Sequence, residues 1–219
     1  MREPAPNCRR CPRLVSLRRE IRRAHPEHHA APVHVFGPAD AALLVIGLAP
    51  GLYGANATGR PFTGDDAGGP LYATLHAHGF CNAPRSDGPG DGLVLQDCRI
   101  TNAVKCLPPD NRPVAAEINT CNRFLADEVK QASVLVTLGG VAHKATVRAL
   151  GLRQADHRFG HGATYDLPSG HRLIASYHCS RYNRNTRRLT PAMLDEVFAR
   201  ARAAVDAVRD LSSTASGAS

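Results

Sequence analysis

A glycine-rich segment from Gly47 to Asp65 holds the side chains of this sequence that are best suited to chemistry on a bound ligand. It reads GLAPGLYGANATGRPFTGD and follows the apolar run from Ala41 to Ile46, which predicts a buried strand. Open α/β sheets bind ligands at the carboxyl ends of their strands, where this loop should lie. The loop lacks the glycine patterns of nucleotide-phosphate sites, so a nucleotide cofactor is not predicted. Its polar and aromatic side chains suit a planar polar ligand: Tyr53, Asn56, Arg60, Phe62, Thr63, Asp65 and the following Asp66.

A second polar segment, Ser176 to Asn183, follows the last predicted core strand. His178 should therefore emerge at the same sheet edge as the glycine-rich loop, and a functional histidine is favoured there over a structural one. Four arginines follow between Arg181 and Arg188, and seven more lie between Arg9 and Arg23. With a net charge of +8, this distribution favours a polyanionic partner, although the first group also fits a solvated arginine-rich helix.

Four of the seven cysteines could bind a metal centre. Cys8 and Cys11 form a C-x2-C pair, and Cys106 and Cys121 form a second, wider pair. Such a set can present four thiolates to zinc or to an iron–sulfur cluster, and the wide second pair modestly favours a cluster. Cys81, Cys98 and Cys179 stand apart from these pairs, and Cys81 and Cys98 are expected to be small buried apolar side chains.

Length and composition predict one domain, residues 1–211, with a disordered Ser/Ala/Gly tail at 212–219. No apolar run is long enough to span a membrane, and the polar amino terminus is not a secretory signal, so a cytoplasmic, nucleoid-associated protein without membrane contact is expected. Because structural disulfides are rare in that compartment, the cysteines call for another explanation.

The hydrophobic pattern alternates between predicted strands and helices, which indicates an α/β fold with helices on both faces of a mostly parallel sheet. Strands are predicted at 33–36 (edge), 41–46, 97–104, 133–138, 164–167 and 171–176, the last two flanking a turn at Pro168-Ser169-Gly170. Helices are predicted at 12–25, 69–78, 114–131, from the Gly139-Gly140 turn to 150, and from Pro191 to about Leu211, with a surface loop at 81–96.

Taken together, these motifs resemble the uracil-DNA glycosylases, specifically the iron–sulfur branch called family 5 or type B. The similar segments are Gly47–Gly51, Thr58–Asp65, Thr101–Cys106, Pro108–Arg112, Ser176–Asn183 and Arg188–Thr190, in the family's order. Leu48 stands where the sister branch has an acidic residue. The resemblance implies a single-domain, three-layer α/β/α sandwich with a central, mostly parallel four-stranded sheet and an N-terminal cluster-binding segment.

The resemblance also implies the role of each site residue. Cys8, Cys11, Cys106 and Cys121 would bind a [4Fe–4S] cluster. Phe62 would stack on the extruded base, and Asn102 would hydrogen-bond its amide edge. Asp65 and His178 would carry the chemistry, although Asp65 could instead cap the following helix. Backbone near Gly47, Leu48, Ala49 and Gly51 would line the base site, while Arg181, Tyr182, Asn183, Arg184 and Arg187 would contact double-stranded DNA, with Tyr182 as a wedge.

The predicted activity is therefore that of a monomeric, monofunctional DNA glycosylase, which removes uracil from DNA by base flipping and leaves an abasic site. Hypoxanthine, xanthine or other deaminated bases are possible further substrates. The sequence departs from the family at Cys179, where proline is usual, at Arg187, where glycine is usual, and at Ala57, where a basic residue is common. A weak or inactive damaged-DNA-binding protein and an iron–sulfur redox protein are the alternatives.

Overall fold

A five-stranded sheet forms the centre of the protein in a computed structural model that describes residues 1–216 and the side chains of 1–211. The strands are β1 (Leu43–Gly47), β2 (Cys98–Asn102), β3 (Val134–Leu138), β4 (Thr164–Asp166) and β5 (Arg172–Ser176), in the order β2-β1-β3-β5-β4. All neighbouring pairs are parallel except β4 and β5. The mostly parallel sheet is confirmed, but the predicted strand number of four is wrong, because the hairpin after β4 adds it to the sheet edge as a fifth strand.

Helices cover both faces of the sheet, which confirms the three-layer α/β/α arrangement. The helices are α1 (Pro12–Ala24), α2 (Ala55–Thr58), α3 (Gly68–Ala77), α4 (Ala115–Val129), α5 (Gly140–Ala149), α6 (Arg181–Asn185) and α7 (Pro191–Ser216). Alternate strand residues enter two cores: Leu43 and Val45 of β1 pack with α3 and α7, whereas Leu44 and Ile46 pack with α4 and α5. Both faces are therefore apolar, as a parallel sheet requires.

Several elements differ from the sequence-based expectations. The predicted edge strand at 33–36 is reduced to one antiparallel bridge between Phe36 and Ile100, because Gly37 turns the chain away at φ +120°. One helical turn, α6, forms at the end of the polar segment that begins at Ser176, where the Ser180 hydroxyl accepts a hydrogen bond from the Asn183 backbone amide. The final helix continues to Ser216, and the last three residues of the predicted disordered tail lie outside the described residues.

Within residues 1–216, no helix is both long and apolar enough to cross a membrane. The carboxyl ends of the four parallel strands face the same edge of the sheet, since each runs in the same direction. Gly47 and Asn102, the last residues of β1 and β2, are register partners at this edge, and Ser176 ends β5 beside Leu138 of β3. The two polar segments of the sequence therefore meet there.

Candidate active site and cysteine cluster

A pocket at this sheet edge is lined by both predicted loops. Its walls include Leu48, Ala49, Gly51, Tyr53, Asp65, Ser86, His178 and Arg181. The pocket therefore brings together the glycine-rich segment after β1 and the histidine segment after β5. We refer to it below as the strand-end pocket.

Gly47 lies between Asn102 and the Phe62 ring beside this pocket. A Cβ atom on Gly47 would overlap the Asn102 Oδ1 atom and lie 2.6 Å from the tip of the Phe62 ring, so only glycine fits. Phe62 itself adopts φ +54°, in the left-handed region, which is uncommon for an aromatic residue. Its ring lies 5.9 Å from the His178 ring, centroid to centroid, with 28° between the planes.

Two polar side chains at this site have no protein partner. The Asn102 side-chain amide makes no hydrogen bond to any described residue, although Asn102 is only 4% exposed. The His178 ring nitrogens likewise bond to nothing within the described part of the chain, while the His178 carbonyl accepts a 2.8 Å bond from the Asn183 amide group. Neither group is among the fully buried atoms without a partner, so the polar atoms of both can be reached by a polar ligand and can hydrogen-bond it.

Burial lowers the pKa of His178 to about 4, so its imidazole is neutral at physiological pH. A neutral imidazole can still donate one N–H hydrogen bond to a ligand. No carboxylate contacts the ring among the described residues, so nothing there favours the imidazolium form. His178 is therefore a donor without charge.

Asp65 has two separate contacts, one for each carboxylate oxygen. Its Oδ1 accepts hydrogen bonds from the backbone amides of Ala67 (3.0 Å) and Gly68 (3.2 Å) at the start of α3, which is the capping role considered above. Its Oδ2 faces the glycine-rich loop, 3.4 Å from where a Cβ on Gly51 would lie. Burial raises the pKa of Asp65, and the two amides oppose this effect in part. Asp65 can therefore cap α3 with one carboxylate oxygen and present the other to the pocket.

The segment predicted to contact DNA is attached to the pocket wall by its own polar groups. Arg181 forms a 2.6 Å ion pair with Asp66, and Arg184 donates to the carbonyls of Asp66 (2.9 Å) and Cys179 (3.3 Å). Tyr182 is 71% exposed, which leaves its ring free to contact a partner. Arg187 is exposed and adopts φ +55°, a conformation that explains why glycine suits this position.

Sequence reasoning missed the part that residues 83–94 play in the pocket. Ser86 and Asp87 line the wall, although this stretch was interpreted as a surface loop. The Arg60 guanidinium fastens it by 2.8 Å bonds to Asp91 and a 2.9 Å bond to Ser86, whose hydroxyl also contacts Thr63 at 2.7 Å. Arg60 and Asp91 are 31 residues apart, and no sequence pattern connects them.

The four cysteines predicted as metal ligands line one apolar hollow between α1 and α4. Leu14, Val104 and Phe124 surround Cys8, Cys11, Cys106 and Cys121, which we call the cysteine cluster. Burial and mutual repulsion raise the thiol pKa of Cys11 to about 11 and that of Cys106 to about 12. All seven cysteines are free thiols, and Cys81 and Cys98 are buried as expected.

The sulfur atoms of the cysteine cluster are spread more widely than the four ligands of a tetrahedral zinc ion. Thiolates bound tetrahedrally to zinc at 2.3 Å lie about 3.8 Å apart. Among the described residues, no three of these sulfur atoms lie within 4.8 Å of one another. The four-thiol donor set therefore fits a larger centre, such as an iron–sulfur cluster, better than zinc.

A buried ion pair lies beside the cysteine cluster. The Lys105 ammonium lies 2.6 Å from the Glu128 carboxylate and 2.5 Å from the Thr101 hydroxyl, with both charged side chains almost fully buried. The Lys105 backbone amide also donates to the Cys121 sulfur at 3.4 Å. The segment Thr101–Cys106 thus connects the strand-end pocket to the cysteine cluster.

Comparison with known proteins agrees with this geometry. The family model of the Uracil DNA glycosylase superfamily matches residues 34–202. A type-5 uracil-DNA glycosylase of Thermus thermophilus is 45% identical over 203 residues, which cover 89% of this chain and 92% of the relative. Type-5 enzymes of Mycobacterium tuberculosis (44% identical; 89% and 77% covered) and Pyrobaculum aerophilum (41%; 90% and 88%) are also similar. The predicted resemblance is confirmed: the chain belongs to the uracil-DNA glycosylase superfamily, on its type-5 branch.

Proposed function

We propose that this protein is a monofunctional uracil-DNA glycosylase, which hydrolyses the bond between uracil and deoxyribose in DNA and leaves an abasic site. The observation that carries the proposal is the pair of unpartnered polar groups, the Asn102 amide and the neutral His178 ring, on either side of the Phe62 region. The similarity to type-5 uracil-DNA glycosylases supports the same activity.

A uracil within a duplex is inaccessible and must be extruded into a pocket before its glycosidic bond can be attacked. Phe62 offers an aromatic surface for the extruded ring, and the Asn102 amide can hydrogen-bond both a carbonyl and an N–H of its edge. The close approach of Gly47 to both side chains fixes their relative position. The backbone of Leu48, Ala49 and Gly51 supplies the remaining wall.

During hydrolysis the C1′–N1 bond breaks, the electron pair leaves with uracil, and a water oxygen forms the new bond to C1′. Negative charge then develops on the uracil O2 atom, to which the neutral His178 can donate a hydrogen bond. The Asp65 oxygen that does not cap α3 faces the pocket, where it can orient the water or stabilise the cationic sugar. The attacking water gives up one proton to solvent as its oxygen bonds to C1′, and solvent returns one proton to the uracil anion.

The absence of a pocket lysine supports the monofunctional assignment. A glycosylase that also cuts the strand commonly uses an amine to form a Schiff base with the sugar. No lysine lines the strand-end pocket within the described residues, and Lys105 is buried in its pair with Glu128. The product is therefore an intact strand with an abasic site.

We further propose that the cysteine cluster binds a [4Fe–4S] cluster through Cys8, Cys11, Cys106 and Cys121. The wide sulfur spacing and the four-thiol donor set support this assignment over zinc. The bound cluster would supply four iron–thiolate bonds, which would fasten the amino-terminal segment to the segment after β2 and to the middle of α4. A broad absorbance near about 400 nm, lost in Cys106→Ser, is the expected signature. A colourless, zinc-loaded protein would contradict it.

For the DNA contacts, we propose that Arg181 and Arg187 approach phosphates and that Tyr182 enters the gap left by the extruded base. The exposure of Tyr182 and its position beside the pocket support this role. Asn183 and Arg184 are proposed to act indirectly, because their side chains hold the His178 and Cys179 carbonyls. We also propose that the protein is a monomer and that it acts in the cytoplasm, at the nucleoid.

The test is single-turnover excision from a labelled duplex that contains one deoxyuridine, followed by alkali. Strand breaks that appear only after alkali are expected, because a monofunctional enzyme leaves an alkali-labile abasic site. Breaks without alkali would contradict the monofunctional assignment. Tight, salt-sensitive binding without excision would indicate a damaged-DNA-binding protein, and a reducible cluster without DNA affinity would indicate a redox protein. Duplexes with hypoxanthine or xanthine extend the same assay to other deaminated bases.

A further inference from the structure

Three side chains converge on one point in the turn that follows α1. Glu27 Oε1 lies 3.6 Å from His25 Nδ1 and 3.4 Å from His28 Nε2, and the candidate ligand atoms of all three residues lie within 4.8 Å of one another. Among the described residues, no other group of three His, Cys, Asp or Glu side chains comes this close. The strand-end pocket and the cysteine cluster use none of these residues.

The distances fit ligands around a metal ion better than direct hydrogen bonds. An N–H···O hydrogen bond usually spans 2.7–3.2 Å, which is shorter than both contacts to Glu27. Nitrogen and oxygen ligands bound tetrahedrally to Zn²⁺ at about 2.1 Å are separated by about 3.4 Å. The two contacts to Glu27 are close to this separation, and the ligand nitrogens of the two histidines lie within 4.8 Å of each other.

The surroundings also favour a cation. His25 is the C-cap residue of the 13-residue helix α1, whose carboxyl end carries partial negative charge. The His25 and His28 rings stack with centroids 4.5 Å apart and 12° between their planes, so one ring must rotate before both can bind the same cation. Glu27 forms ion pairs with these two histidines and with no arginine or lysine in the described part of the chain.

The His28 ring is the most buried of the three side chains. It is only 9% exposed, its Nε2 faces Glu27, and its Nδ1 is buried without a hydrogen-bond partner. A metal ion bound at Nε2 would fix the tautomer of the ring, with the proton on Nδ1.

We propose that His25, Glu27 and His28 bind a divalent transition-metal cation of the Zn²⁺ type, with water completing the coordination. Two imidazoles and one carboxylate are a donor set that Zn²⁺ accepts. Tyr53 packs edge-on against both histidine rings and also lines the strand-end pocket. The cation would therefore stiffen the turn beneath Tyr53 and add positive charge beside the mouth of the pocket.

The test is a Zn²⁺ titration of the full-length, cluster-loaded protein in competition with a chromophoric chelator. One Zn²⁺ per chain is expected to bind at micromolar or lower concentration, without loss of the cluster absorbance. Glu27→Gln keeps the shape of the side chain but removes its charge, and Zn²⁺ should bind on the order of 100-fold more weakly to it. His28→Ala should abolish this binding.

His76→Ala is the matched control, because His76 is an exposed histidine on α3 outside this group. It should bind Zn²⁺ like the unsubstituted protein. Equal Zn²⁺ affinity in Glu27→Gln and the unsubstituted protein would overturn the proposal, as would Zn²⁺ uptake that bleaches the cluster in proportion. Failure of the unsubstituted protein to compete with the chelator would also overturn it. None of these outcomes depends on uracil excision.

Discussion

The strand-end pocket and the cysteine cluster lie at opposite ends of the segment Thr101–Cys106, yet their polar side chains differ in whether they have hydrogen-bond partners within the protein. In the pocket, Asn102 and His178 have no protein partner for their polar side-chain atoms among the described residues. Beside the cysteine cluster, Lys105 is fully engaged by Glu128 and Thr101 within 2.6 Å. At the pocket end of the segment, polar groups remain available to hydrogen-bond a ligand. At the cysteine end, the polar groups are already hydrogen-bonded within the protein.

This difference distinguishes residues that can bind a ligand from residues that stabilise the fold. A polar group at the pocket that has no protein partner keeps its hydrogen-bonding capacity for a ligand. A paired buried charge instead holds the backbone in place, and removing one member leaves the other without compensation. Substitutions in the pocket should therefore affect catalysis, whereas substitutions beside the cysteine cluster should affect stability.

The largest expected effect is on the Lys105–Glu128 pair. Glu128→Ala leaves the Lys105 ammonium buried and unpaired, and should lower the free energy of unfolding by about 3–5 kcal/mol. Denaturant unfolding of the cluster-loaded protein measures it. The double variant Lys105→Met/Glu128→Leu, which removes both charges, should recover most of the loss. A double variant as unstable as Glu128→Ala would mean that the charges are not the cause.

Next in size is the effect of His178→Ala on excision. Loss of one donor to the developing anion should slow single-turnover excision by about 100- to 1000-fold. DNA affinity and the cluster absorbance should remain near those of the unsubstituted protein, because His178 lies in the pocket and not beside the cysteines. His76→Ala serves as the control. Excision by His178→Ala at the unsubstituted rate would refute the assignment of His178.

The pH dependence of excision should show whether His178 is neutral in the pocket. Because burial lowers the pKa of His178 to about 4 from its ordinary 6.5, protonation of this group should not reduce the rate until the pH falls well below 6.5. The folded protein resists this protonation, so its stability should decline as the pH falls from about 6.5 towards 4. A rate that halves near pH 6.5, and does so only when His178 is present, would show an ordinary exposed imidazole.

The smallest expected effect concerns Cys179, which follows His178 directly. Its thiol donates to the Ala67 carbonyl at 3.3 Å and so ties the His178 segment to the Asp65 segment. Cys179→Ala should remove about 1 kcal/mol of positioning and slow excision by no more than about fivefold. The buried Cys98→Ala, on β2, is the matched control for lost volume. A decrease as large as that of His178→Ala would make Cys179 essential to the pocket.

The amino-acid pattern predicts most of the fold and the meeting of the two loops, since apolar runs and glycine turns act locally. Asp65, Phe62 and His178 were assigned to one site from the sheet-edge rule and the family resemblance, and the structure brings them to one edge. The pattern predicts a strand at 164–167, where β4 forms, but the four-stranded sheet implied by the resemblance does not include it. β4 has only three residues, none of them buried, and joins the sheet as an antiparallel edge strand.

Other parts of the site depend on contacts that are distant in the sequence. The Arg60–Asp91 pair, which fastens the loop to the pocket, joins residues whose partnership follows only from the folded sheet. The same is true of Lys105 and Glu128, which are separated by 23 residues. His25, Glu27 and His28 lie within four consecutive residues, but only the folded turn after α1 determines how their rings are arranged.

The internal engagement of the arginines around α6 has a consequence for how DNA binding responds to salt. Each phosphate contact releases condensed counterions and contributes about 0.9 to the slope of log affinity against log salt concentration. Arg181 is paired with Asp66, Arg184 holds two carbonyls, and Arg188 lies over the Tyr177 ring. The segment should thus release the ions of one or two phosphate contacts, not of the four that its arginines suggest.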